Sequence, residues 1–582
     1  MPAKYPYRWN VMIYLAGNNS LSEECVYGLT DILDAKIDDR VAIYAQLNTG
    51  VHRGTYLDLR KFKTREELHR TLTEVLVAQS KNGNRHTIGS HTSEIYEFVK
   101  RCMGNVGKYG AERNMLILGG HGSGTMGAFL RDDKPGDSQR PLDTRGIGGL
   151  MKTINGELLK KKRLDILGFD SCLMSMSEIA YAVHNHVEVT IGAEGFEPSA
   201  GWPYGRIMEL LNQDEIDTYS LAAKIVEKYT EYYTIYQAAN VSVDLSACRA
   251  RQMVPLMKAV QSLAETLRKI FEDYPEDSTK IDADNPPESA IVRDAVLLAH
   301  WESQLYMNEQ YTDLYDFCTL LKKRVGRKYS DVRQACQNVL NAIAGVENQK
   351  KIDGDEAVSL AHPDFWALYS TADANSKNPK LMKQPVNFRE VPGFTLKSCY
   401  SGWTVQYSHG VSIYFPWSEV PMEMDQYASL AFAQDSRWAN FLRQYLRVTK
   451  RAARPGLGKP ISFGPDFLIS SFNLVASPAG HRNADPNRNA DPNRNADPNR
   501  NADPNRNADP NRSLSNMIGS MKNPPTDFYA CEELYQNAGI GAPTPAGNGD
   551  GPGNNSGGRK SPKKQGRTRR KEVEKSLSKA AS

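Results

Sequence analysis

The first 245 residues alternate short, unbroken apolar runs with longer stretches whose apolar residues recur at helical spacing, and this alternation constrains the fold more than any other feature. Asn10-Val-Met-Ile-Tyr-Leu-Ala16 reads as a buried strand. It is followed by Ser20-x-x-Glu23, a capping-box pattern, and by Leu21, Cys25, Leu29, Ile32 and Leu33 at helical spacing. Val41–Leu47 is the next strand, and 93–103 reads as a helix with Ile95, Phe98, Val99 and Cys102 on one face. Asn114–Leu118, Leu164–Gly168 and Val187–Ile191 are further strands, with a helix around 147–160 before the second of them. Repeated βαβ units predict an α/β fold, a mostly parallel sheet covered by helices. In such sheets ligands sit beyond the carboxyl ends of the strands, so the loops that follow the strands carry the information about function.

From about residue 244 the pattern changes. Residues 246–271 and 290–346 read as largely helical, followed by short strands, clearest at Gly410–Pro416, and a last helix near 437–446. The organisation expected is a domain over 1–245, an α+β region over 246–450 and a low-complexity tail over 451–582. Residues 483–512 are five copies of Asn-Ala-Asp-Pro-Asn-Arg, with nothing apolar to bury beyond Ala, which reads as a hydrophilic spacer and not a solenoid. Phe528 to Tyr535 is a candidate docking segment.

Composition narrows the class. The chain has 582 residues, 40% of them apolar, enough for sizeable cores. No stretch approaches the ~20 apolar residues of a membrane helix. Val11–Ala16 is too short for the apolar part of a secretory signal, and the eight cysteines show no disulfide-scaffold spacing. A cytoplasmic setting is therefore the expectation, with export by another route left open. The net charge of +4 is unevenly distributed. Residues 559–582 hold ten Lys/Arg against two Asp/Glu, a net of +8, which leaves −4 for residues 1–558. A mildly acidic body with a basic tail argues against a protein built to bind nucleic acid, and no aromatic interleaves the tail's charges.

Two strand ends carry candidate chemistry. The strand 114–118 runs into Gly119-Gly-His-Gly-Ser-Gly124, and the strand 164–168 into Gly168-Phe-Asp-Ser-Cys-Leu-Met174. Cys172 is expected just before a helix with its own capping box, Ser175-x-x-Glu178, where the helix dipole favours thiolate. If the strands are neighbours, His121 and Cys172 meet at one sheet edge, the basis of nucleophilic acyl transfer. Gly122 offers a backbone N–H beside the histidine for an oxyanion.

These segments resemble the clostripain family of cysteine endopeptidases, relatives of caspases, gingipains and legumains. The resemblance rests on Trp9–Leu21, Leu116–Gly124 and Leu164–Met174, with later landmarks at Gly201-Trp-Pro-Tyr204, Tyr311–Phe317 and Gly410–Pro416. It implies a caspase-like fold, His121 and Cys172 as a catalytic dyad, and Asp170 as the acid at the base of the pocket for the residue before the scissile bond (P1). A carboxylate there selects Arg or Lys. The resemblance also implies that Ala193, Glu194 and Trp202 flank bound peptide, and that the chain cuts itself within 131–145, where Arg131, Lys134, Arg140 and Arg145 are candidates. Lys134 is the poorer one because Pro135 follows it. Two positions depart from the family pattern, Asn18 in place of an Asp and Gly124-Thr125 in place of an aromatic turn. Some members need calcium, and Asp353-Gly-Asp-Glu356 is too short for an EF-hand loop.

Blander readings compete. A lone cysteine before a helix is more often a small buried hydrophobe than a nucleophile. His184 and His186 lack a third ligand and read as helix-end histidines. Gly122-Ser-Gly-Thr-Met-Gly127 satisfies G-x-G-x-x-G, but Pro135 and Gly136 break the helix a dinucleotide site requires. The expectation is a thiol endopeptidase acting on proteins or peptides with basic P1 residues, its chemistry needing no cofactor and calcium left open. The alternative is a catalytically silent caspase-like scaffold or peptide-binding module.

Overall fold

The apolar run at 10–16 sits inside β1 (Tyr7–Ala16), whose residues from Arg8 onward are buried, as a central parallel strand demands. The computed structural model describes residues 5–450 apart from 49–53, 82–89, 108–109, 132–141, 236–240, 276–280, 283, 307–309, 347–365, 371–379, 382–392 and 418–420. Lys134, Arg140, Asp353–Glu356, the hexapeptide repeats, 528–535 and the basic end lie outside the described residues. The chain divides into units 1–534 and 535–582, and all described residues belong to the first.

Six further strands complete the first part of the sheet: β2 (Val41–Asn48), β3 (Thr55–Asp58), β4 (Ala111–Gly119), β5 (Leu164–Asp170), β6 (Val187–Gly192) and β7 (Val243–Arg249). Later strands are β8 (Leu305–Tyr306), β9 (Tyr311–Asp313), β10 (Trp366–Ser370), β11 (Lys380–Leu381), β12 (Thr395–Ser401) and β13 (Ser412–Tyr414). Among the described residues the main sheet runs β11-β10-β12-β7-β6-β5-β4-β1-β2-β3, and a small sheet runs β13-β9-β8. The pairings from β2 through β1, β4 and β5 to β6 are all parallel, while β3 and β7 join antiparallel at either side. The α/β architecture with a mostly parallel sheet is thus observed. Residues 246–249 are strand and not the start of a helix, so the sheet continues across residue 245 through β7 to β12.

The helices are α1 (Ser22–Asp31), α2 (Arg65–Lys81), α3 (His91–Asn105), α4 (Thr144–Thr153), α5 (Ser177–Val183), α6 (Tyr204–Glu209) and α7 (Thr218–Tyr233). In the second half come α8 (Met253–Glu272), α9 (Glu288–Glu302), α10 (Leu314–Arg324), α11 (Ser330–Ala344), α12 (Pro421–Ala428), α13 (Ala431–Asp435) and α14 (Trp438–Lys450). α3 packs against β1, and α7 against β6, β7 and β12. α8 gathers α9, α11 and α14 into a helical layer, burying Leu256, Val260, Leu263, Leu267 and Phe271. No described helix is long and apolar enough to cross a membrane.

Both expected capping boxes are absent, for the same reason: each serine has a tertiary partner. α1 starts at Ser22 without a side-chain cap, and Ser20 Oγ lies 3.1 Å from His121 Nε2 instead. α5 starts at Ser177, and Ser175 Oγ donates to Gly410 O (2.8 Å) while Glu178 is buried, accepting from Tyr414 N–H and Tyr427 Oη–H. Local preference for a cap loses to burial of the same side chains.

Candidate active site

β1 and β4 are adjacent, yet β2 leaves β1 on one side and β5 leaves β4 on the other. The order reverses there, and the loops beyond these strand ends form a crevice. Parallel pairing sets Gly119 opposite Asp170, so the two loops that follow start level with each other. Gly120 N–H donates to Asp170 O (3.2 Å), and Ser171 Oγ donates to Gly120 O (2.7 Å). His121 and Cys172 therefore leave the sheet at the same height, each two residues past a paired position. Both are buried, at 5% and 0% exposure.

Gly122 sits against the nucleophile candidate's own backbone. A Cβ there would lie 2.4 Å from Cys172 O and 3.3 Å from Cys172 N, so only glycine fits. Leu173 adopts a left-handed conformation, φ 64°, which turns the chain sharply after Cys172. α5 begins five residues beyond Cys172, so the expected position at a helix N-terminus is not observed. The sulfur instead receives the backbone N–H of Glu197 at 3.2 Å. The same sulfur lies 3.7 Å from Glu197 O, which can accept the thiol hydrogen.

The segment after β6 forms the facing wall. Ala193 O accepts from Ser175 N–H (2.8 Å) and Gly195 O accepts from Leu173 N–H (2.9 Å), clamping the chain on either side of Glu194 to the chain just after Cys172. Glu194's carboxyl turns inward to accept Gly410 N–H at 2.6 Å. Any contact of Glu194 with a peptide is thus through its backbone.

Asp170 reaches a small pocket. Its carboxylate accepts Trp202 N–H (3.0 Å) and Tyr204 Oη–H (2.7 Å), and Trp202's ring packs over Gly168 beneath the strand. Burial pushes Asp170 up to about 6, against the pull of Tyr204, Glu197 and the Trp202 amide. Glu24 and Glu197 line the same pocket, giving it three carboxylates. Burial, then Asp170 and Cys172 beside it, push Glu197 well above the carboxylate range. Space within the pocket is only about 30 Å³, room for a water or two and not for a guanidinium.

The structure brings His121, Gly122, Cys172, Asp170, Ala193 and Glu194 to one place, with Trp202 underneath. Ser20, Glu24 and Glu197 join them unforeseen. The Ser20-x-x-Glu23 pattern predicts a cap, and no local pattern singles out Glu24 or Glu197. Arg131 follows the histidine turn, its carbonyl accepting Asn19 Nδ2–H at 2.9 Å, whereas Arg145 lies in the first turn of α4 and bonds Ser429 O. The glycine pattern 122–127 opens no helix; the described turn closes through pairing of Phe129 with Leu142.

Comparison with known proteins adds four findings. A family model described as the clostripain family matches residues 14–445. Clostripain of Hathewaya histolytica is 22% identical over 329 residues, 49% of this chain and 59% of that protein, so the match spans less than two thirds of its length. Among solved structures, a secreted C11 cysteine protease from Bacteroides thetaiotaomicron, in complex with an irreversible peptide inhibitor, is 14% identical, with a TM-score of 0.43 over 74% of this chain and 99% of the other. An inactive zymogen C11 protease from Parabacteroides distasonis is 18% identical, with a TM-score of 0.39 over 75% and 99%.

Proposed function

The chain belongs to the clostripain family, and on that premise we propose that it is a cysteine endopeptidase cutting after Arg or Lys by a Cys172–His121 dyad. The observation that carries the reading is the level placement of the two strand-end loops, with Gly122 packed on the Cys172 backbone and an acidic pocket alongside.

With Nε2 engaged by Ser20, His121 would serve the thiol through Nδ1. It takes the thiol proton, and the thiolate attacks the scissile carbonyl carbon, forming a C–S bond and an oxyanion. The oxyanion is held by the N–H groups of Gly122 and Cys172. Collapse breaks the C–N bond, and His121 returns its proton to the leaving amine. Water then hydrolyses the thioester with His121 as base, restoring the thiol. Nothing in this sequence of steps calls for a cofactor.

Asp170 would receive the P1 cation, its carboxylate reaching the pocket beside the Trp202 amide and the Tyr204 hydroxyl. Self-processing is part of the proposal, and it narrows toward Arg131, Lys134 and Arg140. Arg145 would first have to leave the hydrogen-bonded turn of α4, since a protease binds its substrate extended.

The test compares arginyl, lysyl and aspartyl fluorogenic peptides on the wild type and on Asp170→Asn. Turnover confined to basic peptides and largely lost in Asp170→Asn is expected. Turnover of aspartyl peptides would overturn the specificity, and intact mass after purification reads the self-cleaved bond directly.

A further inference from the structure

Three acids meet in the interior behind the wall of the site. Glu194, Asp244 and Asp313 are each fully buried, at 0% exposure. Asp244, on β7, accepts the N–H groups of Glu194 (2.8 Å) and Gly195 (2.9 Å). Asp313, at the end of β9, accepts from the N–H of Asp316 (2.7 Å) and of His409 (2.5 Å), with the His409 ring nitrogen Nδ1 at 3.1 Å. Glu194 accepts from Gly410 through one oxygen, while its other oxygen, Oε2, finds no donor.

An acid with an unsatisfied oxygen beside other carboxylates is satisfied by a proton. Asp244 and Asp313 each accept two backbone N–H groups, whereas Glu194 has one donor on one oxygen. A neutral Glu194 can give its hydroxyl to Asp313 and still accept from Gly410. Three bare charges in this interior would repel strongly with little water to screen them.

We propose that protonated Glu194 is a positioning residue: it locks the wall 193–197 to the core behind it, and loss of its proton loosens that wall from Cys172. The consequence for the site follows from the backbone. The two bonds from Ser175 and Leu173 grip the wall immediately before and after Glu194, and Glu197 N–H meets the sulfur three residues on. A wall that shifts at Glu194 moves both the donor to the sulfur and the chain that turns after it.

The groups facing Glu194 bear on the direction of the effect. Asp244 comes from β7, Asp313 from β9, His409 from the loop before β13 and Tyr306 from β8; Tyr229 of α7 lies close to Asp244. Burial first, then Asp313 and Asp244, raise Glu194 well above the carboxylate range, and burial raises Asp244 to about 7. An acid raised in the folded state keeps its contribution at low pH and loses it as pH rises through its folded value. The wall is therefore tight in neutral and mildly acid solution and is released on the alkaline side.

This inference rests on the peptidase reading, and its test has one readout that does not. Turnover of an arginyl peptide is measured from about pH 6 to about pH 9.5 for the wild type, Glu194→Ala and Glu194→Gln. Thermal unfolding is followed over the same range in the Cys172→Ala background, with and without Glu194→Gln. Glu194→Ala is expected to lower kcat about tenfold or more with little change in KM. Glu194→Gln, whose amide can donate to Asp313 and accept from Gly410, is expected to restore most of that loss and to hold its rate and melting temperature at alkaline pH where the parent declines. Equal losses in Ala and Gln, or alkaline limbs that coincide with and without Gln, overturn the proposal. If no variant turns over peptide, the peptidase reading fails, and the unfolding curves alone decide the proton's role.

Discussion

Gly122 is the residue at which sterics and chemistry coincide. Its Cα approaches the Cys172 backbone so closely that a methyl group would overlap Cys172 O. Gly122→Ala is expected to leave the fold intact, with far-ultraviolet dichroism unchanged, and to cut kcat about 100-fold by moving the oxyanion donors. Ser20→Ala removes one hydrogen bond from His121 and should cost about 1 kcal/mol, roughly a fivefold lower kcat with KM unchanged. The pocket acids yield a pH test. Asp170 binds a cation only when ionised, and its carboxyl is pushed up to about 6. KM for arginyl peptides is therefore expected to climb as pH falls through about 6, and Asp170→Asn should flatten that dependence. His121, Gly122, Cys172 and Asp170 are legible in the sequence because each lies within four residues of an apolar strand, so locating the strand locates the residue. Ser20, Glu24 and Glu197 are not. Ser20 carries a capping pattern that any helix start could show, and Glu197 faces Cys172 from 25 residues away across a strand pairing that no local pattern encodes.

At the scale of elements, parallel strand pairing is what makes the site, because register alone brings Gly119 and Asp170 level. The strands were readable from their apolar runs, their ends less so: β4 begins at Ala111 and β5 extends to Asp170, past the apolar stretch in both cases. The helix expected from 246 failed because Ser246 to Arg249 already belong to β7, whose pairing with β6 and β12 overrides the helical spacing that continues into α8. Glu178 is the corresponding case in α5. Expected in a capping box, it is instead a buried acid that ties α5 to β13 and α12 through Tyr414 and Tyr427. Burial raises it from 4.5 to about 7, which means that the neutral form is favoured in the fold. The stability it confers is complete below about 4.5 and declines as pH rises to about 7, by a few kcal/mol. Glu178→Gln should flatten this part of the melting-temperature profile, whereas Glu178→Ala should lower the melting temperature at every pH.

At the scale of the molecule, the two halves of the described chain build one site. Tyr311 Oη donates to Ser123 O in the histidine turn, and Ser412 N–H donates to Ser175 O beside the cysteine loop, so β9 and β13 brace both strand-end loops of the candidate site from the second half. Residues 1–245 produced alone would end within β7 and lack β12, and are expected to be insoluble or molten, with little cooperative melting. A chain ending at Lys450 keeps α14 and every described contact, and is expected to melt and turn over substrate like the full-length protein. The net charge, +4 overall yet −4 over residues 1–558, agrees in sign with the acidic pocket proposed to take a basic side chain. The most direct test of the whole account is steady-state turnover of an arginyl fluorogenic peptide by purified wild type and by Cys172→Ala at matched concentration. The account predicts turnover by the wild type and none above background with alanine at 172; equal rates in the two, or no turnover by the wild type whether processed or intact, would contradict it.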